Sequence, residues 1–310
     1  MTDPRKFLLR FSPVPALILA AVLSGSCAGV ARVGSAVAQS AGVISADQAA
    51  SITRSAEAVE KSFEDISPEQ EYYIGRAVGA NLMAAYRPFD RDPATRYLNL
   101  LGRNLALYSD RPETFGGWHF LILDSDEINA FAAPGGLIFV SRGMISCAAG
   151  ETALAAVLAH EISHVQLAHG LKAIRKDRLT SALAIIGTEA AKSLGGQELK
   201  DLTRMFEGSI TDITRTMVNS GYSRNLEEDA DAGAVALLRK AGYNPEGLAA
   251  MLEEMKKRLK PGGPDFAKTH PDPAYRIGLL RKRLGPGEPI RETPAMTTRY
   301  RDFLGALGSR

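Results

Sequence analysis

Hydrophobic and polar positions change period several times along this chain, and each change marks an element. Ser67-Pro68-Glu69-Gln70 predicts a helix start: Ser67 suits the N-cap, Pro68 the first helical position, and Gln70 can close a capping box. That helix is expected to run to about Tyr86. Pro93 opens a second helix, with Leu98, Leu101, Leu105 and Leu107 available for an apolar stripe. Three short β-like runs follow, at 119–123, 128–132 and 137–140, the last set off by Pro134-Gly135-Gly136. Gly150 separates them from a helix expected over Glu151 to His169, whose Leu154, Val157, Leu158 and Val165 suit a buried position. Residues 171–220 alternate basic and apolar positions without a clear period. Further helices are predicted from Ser223 to Ala241, after Asn244-Pro245, and from Asp272 to Leu284. Pro286, Pro289 and Pro294 predict an irregular tail over 286–310. No internal repeat interrupts this order.

The front of the chain has a different character. Arg5, Lys6 and Arg10 precede an apolar run, Pro15 to Leu23, that is too short to span a bilayer. This is the pattern of an export signal over residues 1–38, with an uncleaved anchor or an organelle presequence as the alternatives. Ala36-Val37-Ala38 fits a small-x-small cleavage site. Cys27 offers the alternative of a lipoprotein box, although Leu23 stands four residues before it rather than three. Residues 39–62 are Ala/Ser-rich and read as a linker, which leaves 63–285 as the globular domain. The 310 residues carry a net charge of +2, and the first 38 contribute +3, so the remainder carries −1. A basic face for nucleic acid is thereby excluded. With Cys27 in the signal, Cys147 stands alone and implies no disulfide framework.

The chemistry centres on His160-Glu161-Ile162-Ser163-His164, which fits H-E-x-x-H. On a helix, His160 and His164 lie one turn apart on one face, so both imidazoles can reach a single ion. Glu161 is rotated off that pair, where it can take a proton from an activated water and pass it to a leaving amine. A catalytic zinc needs a third protein ligand and an open fourth position. Glu227 and His169 are the two candidates. His169 lacks the Gly-containing spacer of the longer histidine motif and reads more simply as a polar residue at a helix C-terminus. Glu227 and Asp231 lie four apart on one helical face. Glu227 can bind the metal while Asp231 accepts the free N–H of a ligand histidine.

Four ordered blocks carry a family resemblance between about Ser67 and Leu284. They are Asn129 to Gly136, His160 to His164, Glu227 with Ala230-Asp231, and Thr269-His270-Pro271 with Arg276-Ile277. The chain resembles the zinc endopeptidases that include HtpX, BepA, Oma1 and the CAAX-prenyl endopeptidases (metallopeptidase family forty-eight), closest to the exported BepA-like branch. It ends soon after the last block, which is expected to leave no room for a C-terminal helical-repeat domain, and it lacks the long apolar spans of the membrane-embedded members. The resemblance implies a mostly helical α+β zincin (gluzincin) with a small sheet beside the active-site helix. It also implies one zinc per chain, with Glu227 as third ligand and with His270 and Arg276 near the metal. His270 would either donate to an oxyanion or occupy the open position at rest, and Arg276 would stabilise negative charge or hold substrate backbone. Asn129, Ala130 and Phe131 would pair with an extended substrate, unless they form an internal strand. The implied activity is hydrolysis of unfolded or misfolded cell-envelope proteins in the periplasm of a bacterium, with polypeptide substrates and peripheral or lipid-anchored membrane contact through Cys27. Two alternatives remain: a latent zinc protein acting as an envelope chaperone or assembly factor, and a lipid-associated module docking through the apolar stretch Leu179 to Leu194.

Overall fold

The computed structural model describes residues 66–173, 210–259, 270–285 and 287–308, with isolated positions elsewhere. The stretch 1–38 expected to be a signal, nearly all of the expected linker and the stretch Leu179 to Leu194 therefore lie outside the described residues. Residues 66–310 form one unit of the chain. The fold is mostly helical with one small sheet. Its elements are α1 (Pro68–Ala85), α2 (Asp92–Leu107), β1 (His119–Leu123), β2 (Ala130–Ala133), β3 (Leu137–Ser141), α3 (Arg142–Cys147), α4 (Glu151–Gln166), α5 (His169–Lys172), a π-helical turn (Thr216–Ser220), α6 (Arg224–Lys240), α7 (Glu246–Arg258), α8 (Pro273–Leu284) and α9 (Pro294–Leu307).

The helix starts follow local chemistry. Ser67 accepts from the Gln70 amide while the Gln70 side chain accepts from the Ser67 amide, so the capping box forms as predicted. In α2 the buried face is Leu98, Leu101 and Leu105; Leu107 is 66% exposed. The reason is spacing: the stripe steps by three then four, and Leu107 falls off it. The short helix α3, which no period announced, is nucleated by Ser141 accepting from the Met144 amide.

The sheet order is β1-β3-β2, with β1 parallel and β2 antiparallel to β3. The strand expected at 128–132 is shifted to Ala130–Ala133. The outer edge of β1 is closed by α2. Asn99 donates to the Phe120 carbonyl at 2.6 Å and accepts from its amide at 3.0 Å, and Arg103 donates to the Trp118 carbonyl. Side chains thus satisfy an edge that would otherwise invite pairing, and β2 is the sheet's other edge. The turn between β2 and β3 needs Gly135 and Gly136 at φ 75° and 94°. It is held from below by buried Glu71, which accepts from the Gly135 amide and from Arg111.

Helix α4 runs through the centre, and every residue from Glu151 to Val165 is buried. A helix apolar on all sides must be surrounded, and α2, β2, α6 and α7 pack around it. Full burial of side chains such as Leu154, Leu158 and Ile162 contributes roughly 1.5–3 kcal/mol each. At its N-terminus, buried Glu151 accepts from Tyr97 and Tyr243 and pairs with Arg299 of α9. That helix corrects the expectation of an irregular tail. Pro294 sits at the helix start, where a missing N–H costs nothing, Thr293 caps it, and Tyr300 and Phe303 are buried. Among the described residues no helix is long and apolar enough to cross a membrane.

Candidate metal centre

Helix α6 lies directly against α4, and small residues make this possible. Ala230 and Ala234 are fully buried, and a Cβ on Gly233 would stand 2.7 Å from Ser163 Oγ. This close approach lets side chains of the first two turns of α6 reach the histidines of α4. Four side chains converge: His160 and His164 from α4, Glu227 from α6, and His270 just before α8, with one donor atom of each within 4.8 Å of the others. All are buried.

The spacings test whether an ion fits. Tetrahedral zinc with ligand bonds of ~2.0–2.1 Å holds neighbouring donors about 3.3 Å apart. His160 Nε2 and His164 Nε2 are 3.1 Å apart, and the Glu227 carboxylate lies 3.5 and 3.4 Å from them. The 3.5 Å distance is to Oε2 and the 3.4 Å distance to Oε1, so the carboxylate as a whole faces both imidazoles at a spacing that one ion could bridge. His270 Nδ1 stands 2.9 and 2.8 Å from the two Glu227 oxygens, the distance of a hydrogen bond rather than of two ligands.

The far nitrogens of the two histidines are also engaged. His160 Nδ1 meets Asp231 Oδ1 at 3.0 Å, and Asp231 is gripped by Arg276 through Nε at 3.0 Å and Nη2 at 2.6 Å. Burial alone would raise the Asp231 pKa, but the Arg276 charge beside it, with His160, lowers it to about 2. Arg276 is itself 1% exposed. Besides this grip on Asp231, its Nη1 stands 3.6 Å from Glu227 Oε2. His164 Nδ1 meets His169 Nδ1 at 2.9 Å. His169 is therefore outside the four-residue cluster; it is fully buried and stands at the start of α5 rather than at a helix C-terminus. The single helix expected from Glu151 to His169 ends at Gln166, because Ala168 adopts the left-handed conformation, φ 54°.

Glu161 is buried beside the cluster. Burial raises its pKa to about 7, and its Oε1 has no hydrogen-bond partner among the described residues. Tyr222, which no sequence signal singled out, stacks on His164 with ring centroids 4.5 Å apart and planes at 22°. It follows Gly221, whose φ of 70° closes the π-helical turn. Asn129, Ala130 and Phe131 lie at the start of β2 and are buried. The Ser141 amide donates to the Asn129 carbonyl, so residues 129, 131 and 133 bond toward β3 by the alternation of an antiparallel pair. Ala130 and Ala132 then turn their backbone groups the other way, and Asn129 Oδ1 accepts from the Ala130 amide.

The cluster sits within a wider similarity. The model of Peptidase family M48 matches residues 93–284. The beta-barrel assembly-enhancing protease of Escherichia coli K12 is 27% identical over 223 residues, covering 71% of this chain and 44% of that protein. The mitochondrial metalloendopeptidase OMA1 of Schizosaccharomyces pombe is 27% identical over 244 residues, covering 75% of this chain and 66% of its own. The metalloprotease LoiP of E. coli K12 is 26% identical over 190 residues, covering 61% and 69%. This chain spans less than half the length of the first of these relatives. The matched span takes in the central helix, the helix packed on it and all four converging side chains, and the chain belongs to Peptidase family M48.

Proposed function

We propose that this chain is a zinc endopeptidase in which His160, His164 and Glu227 hold the ion and Glu161 moves the proton. The supporting observation is the buried convergence of three donors from two helices at the spacing of a tetrahedral ion. When bound, zinc acidifies a water and stabilises the oxyanion of peptide hydrolysis. Glu161, with a pKa raised to about 7 by burial and a free Oε1, can accept a proton there and release it to the leaving amine near neutral pH. Asp231 accepts from His160 Nδ1 and so fixes the ring with Nε2 aimed into the cluster, while Arg276 fixes Asp231. His270, buried against Glu227, holds the site in a resting state that substrate must open.

The edge of β2 is the place for an extended substrate, through the outward groups of Ala130 and Ala132, with Asn129 and Phe131 setting their register. A site that reads backbone in this way selects unfolded chains. The reading of 1–38 as an export signal and of 39–62 as a linker supports a location in a bacterial envelope. A relative named for enhancing β-barrel assembly supports misfolded envelope proteins as substrates. The domain that starts near residue 63 extends through α9, since that helix packs on α2 and α4.

The test measures bound zinc and casein cleavage on the full-length protein. One zinc per chain is expected, with cleavage lost to a chelator and restored by zinc. Glu227→Ala should lose both metal and activity. A Glu227→Ala protein that binds zinc as tightly as the parent would place the third ligand elsewhere.

A further inference from the structure

His169 is a polar neighbour of the cluster that has no task in this reading. It is fully buried, its Nδ1 lies 2.9 Å from His164 Nδ1, and its Nε2 has no hydrogen-bond partner among the described residues. A core position with no further use would be better filled by an apolar side chain, because a buried N–H left unpaired is costly.

The backbone brings the two rings together. On an unbroken helix, residues five apart stand about 140° apart around the axis and do not meet. Here α4 stops at Gln166, and Ala168 is the one non-glycine residue with positive φ among the described residues. L-residues adopt that conformation at a cost. The reversal starts α5 at His169 and turns its imidazole back onto His164. Tyr222 closes the face of the same ring by stacking.

We propose that His169 is a positioning residue that orients His164 for metal binding, accepting at its Nδ1 the hydrogen of His164 Nδ1. This rests on the reading of His164 as a ligand through Nε2. With Nε2 committed to the cluster, the only hydrogen of the neutral His164 ring is on Nδ1, and His169 Nδ1 is the atom within reach of it. His169 then carries its own hydrogen on Nε2. The two ligand histidines are thus braced by different chemistry: a carboxylate held by an arginine for His160, and a neutral imidazole for His164.

The acceptor at this place can be removed or replaced. In His169→Leu it is gone. In His169→Asn, Oδ1 falls near the place of Nδ1 and can accept the same hydrogen. Zinc affinity of the full-length proteins is measured by competition with a chromophoric chelator, alongside the denaturation midpoints of the metal-free forms. The Leu variant is expected to bind zinc roughly 10–100-fold more weakly. The Asn variant should bind close to the parent, with the metal-free midpoints of the two variants alike. A Leu variant that binds as tightly as the parent overturns the proposal. So does an Asn variant as weak as Leu, since that is the mark of lost packing. If the Leu variant does not fold, the Asn variant decides alone: tenfold or greater weakening rejects the role. A parent that binds no zinc, or a His164→Ala protein that binds it as tightly as the parent, rejects the underlying metal site instead.

Discussion

Arg276 grips Asp231 with two hydrogen bonds, Nε to Oδ2 at 3.0 Å and Nη2 to Oδ1 at 2.6 Å, in a place where both side chains are shut off from solvent. The pair joins α8 to α6 and stands directly behind His160. Removing one member of a buried pair leaves an uncompensated charge and costs ~3–5 kcal/mol. Arg276→Ala should lower the urea-denaturation stability of the metal-free protein by about that much. Arg276→Lys should recover only part, because an ammonium cannot reproduce the fork. Stability within about 0.5 kcal/mol of the parent in the Ala variant would show that the pair is dispensable.

The same pair has a signature in acid. The folded-state pKa of Asp231 is about 2, below its ordinary value near 4, so its contribution is fully present above that ordinary value. It is lost as pH falls through about 2, and amounts to roughly 2 kcal/mol. Asp231→Asn should therefore flatten the acid limb of the stability profile of the metal-free protein between pH ~4 and ~2. An acid limb identical to the parent's would assign that titration to other carboxylates.

Glu161→Gln should keep zinc and lose hydrolysis, because Glu161 stands outside the donor cluster. The expected loss is ~10²–10⁴-fold. Zinc content and turnover need to be read on the same sample, and retention of more than about a tenth of the activity is incompatible with a proton-carrying role.

His270→Ala distinguishes two tasks by the sign of its effect. His270 lies buried on Glu227. As the group that keeps the site closed at rest, its loss should raise basal casein cleavage and expose the protein to self-digestion. As a donor to the oxyanion, its loss should cut turnover by roughly 10²–10³-fold. The contact of His270 with Glu227 favours the increase as the expected outcome.

The approach of α6 to α4 is tested at Gly233. A Cβ there meets Ser163 Oγ at 2.7 Å and Ser163 Cβ at 3.0 Å. Gly233→Val should destabilise the fold by about 1–3 kcal/mol and weaken zinc binding, as Glu227 is carried away from the histidines. Gly278 on α8 is the control: a Cβ there meets nothing within 4 Å. Gly278→Ala should be neutral or stabilising by up to ~1 kcal/mol, the usual gain from replacing a helical glycine. If Gly233→Val binds zinc like the parent, the close helix contact does not set the site.

Features that depend on near neighbours were legible in the residues. The capping box at Ser67 and Gln70, the strands expected at 119–123 and 137–140, and the starts of α6 and α8 all follow from residue patterns only a few positions long. Pro294 misled because proline both opens helices and breaks them, and only the burial of Tyr300 and Phe303 against α2 and α4 selects the first.

The candidate site divides along the same line. His160 and His164 share a face by helix geometry alone, and Glu227 and Asp231 share another, so each pair could be read from its own spacing. Which atoms meet was decided by packing: Gly233 seats α6 on α4, His270 falls on Glu227, and Arg276 turns to Asp231. His169 shows the limit most plainly. Five residues from His164, it belongs to another face of any regular helix, and only the left-handed turn at Ala168 brings the two imidazoles into contact. Periodicity describes a helix that continues; where a chain leaves the helix and where it returns are settled by the side chains that surround it.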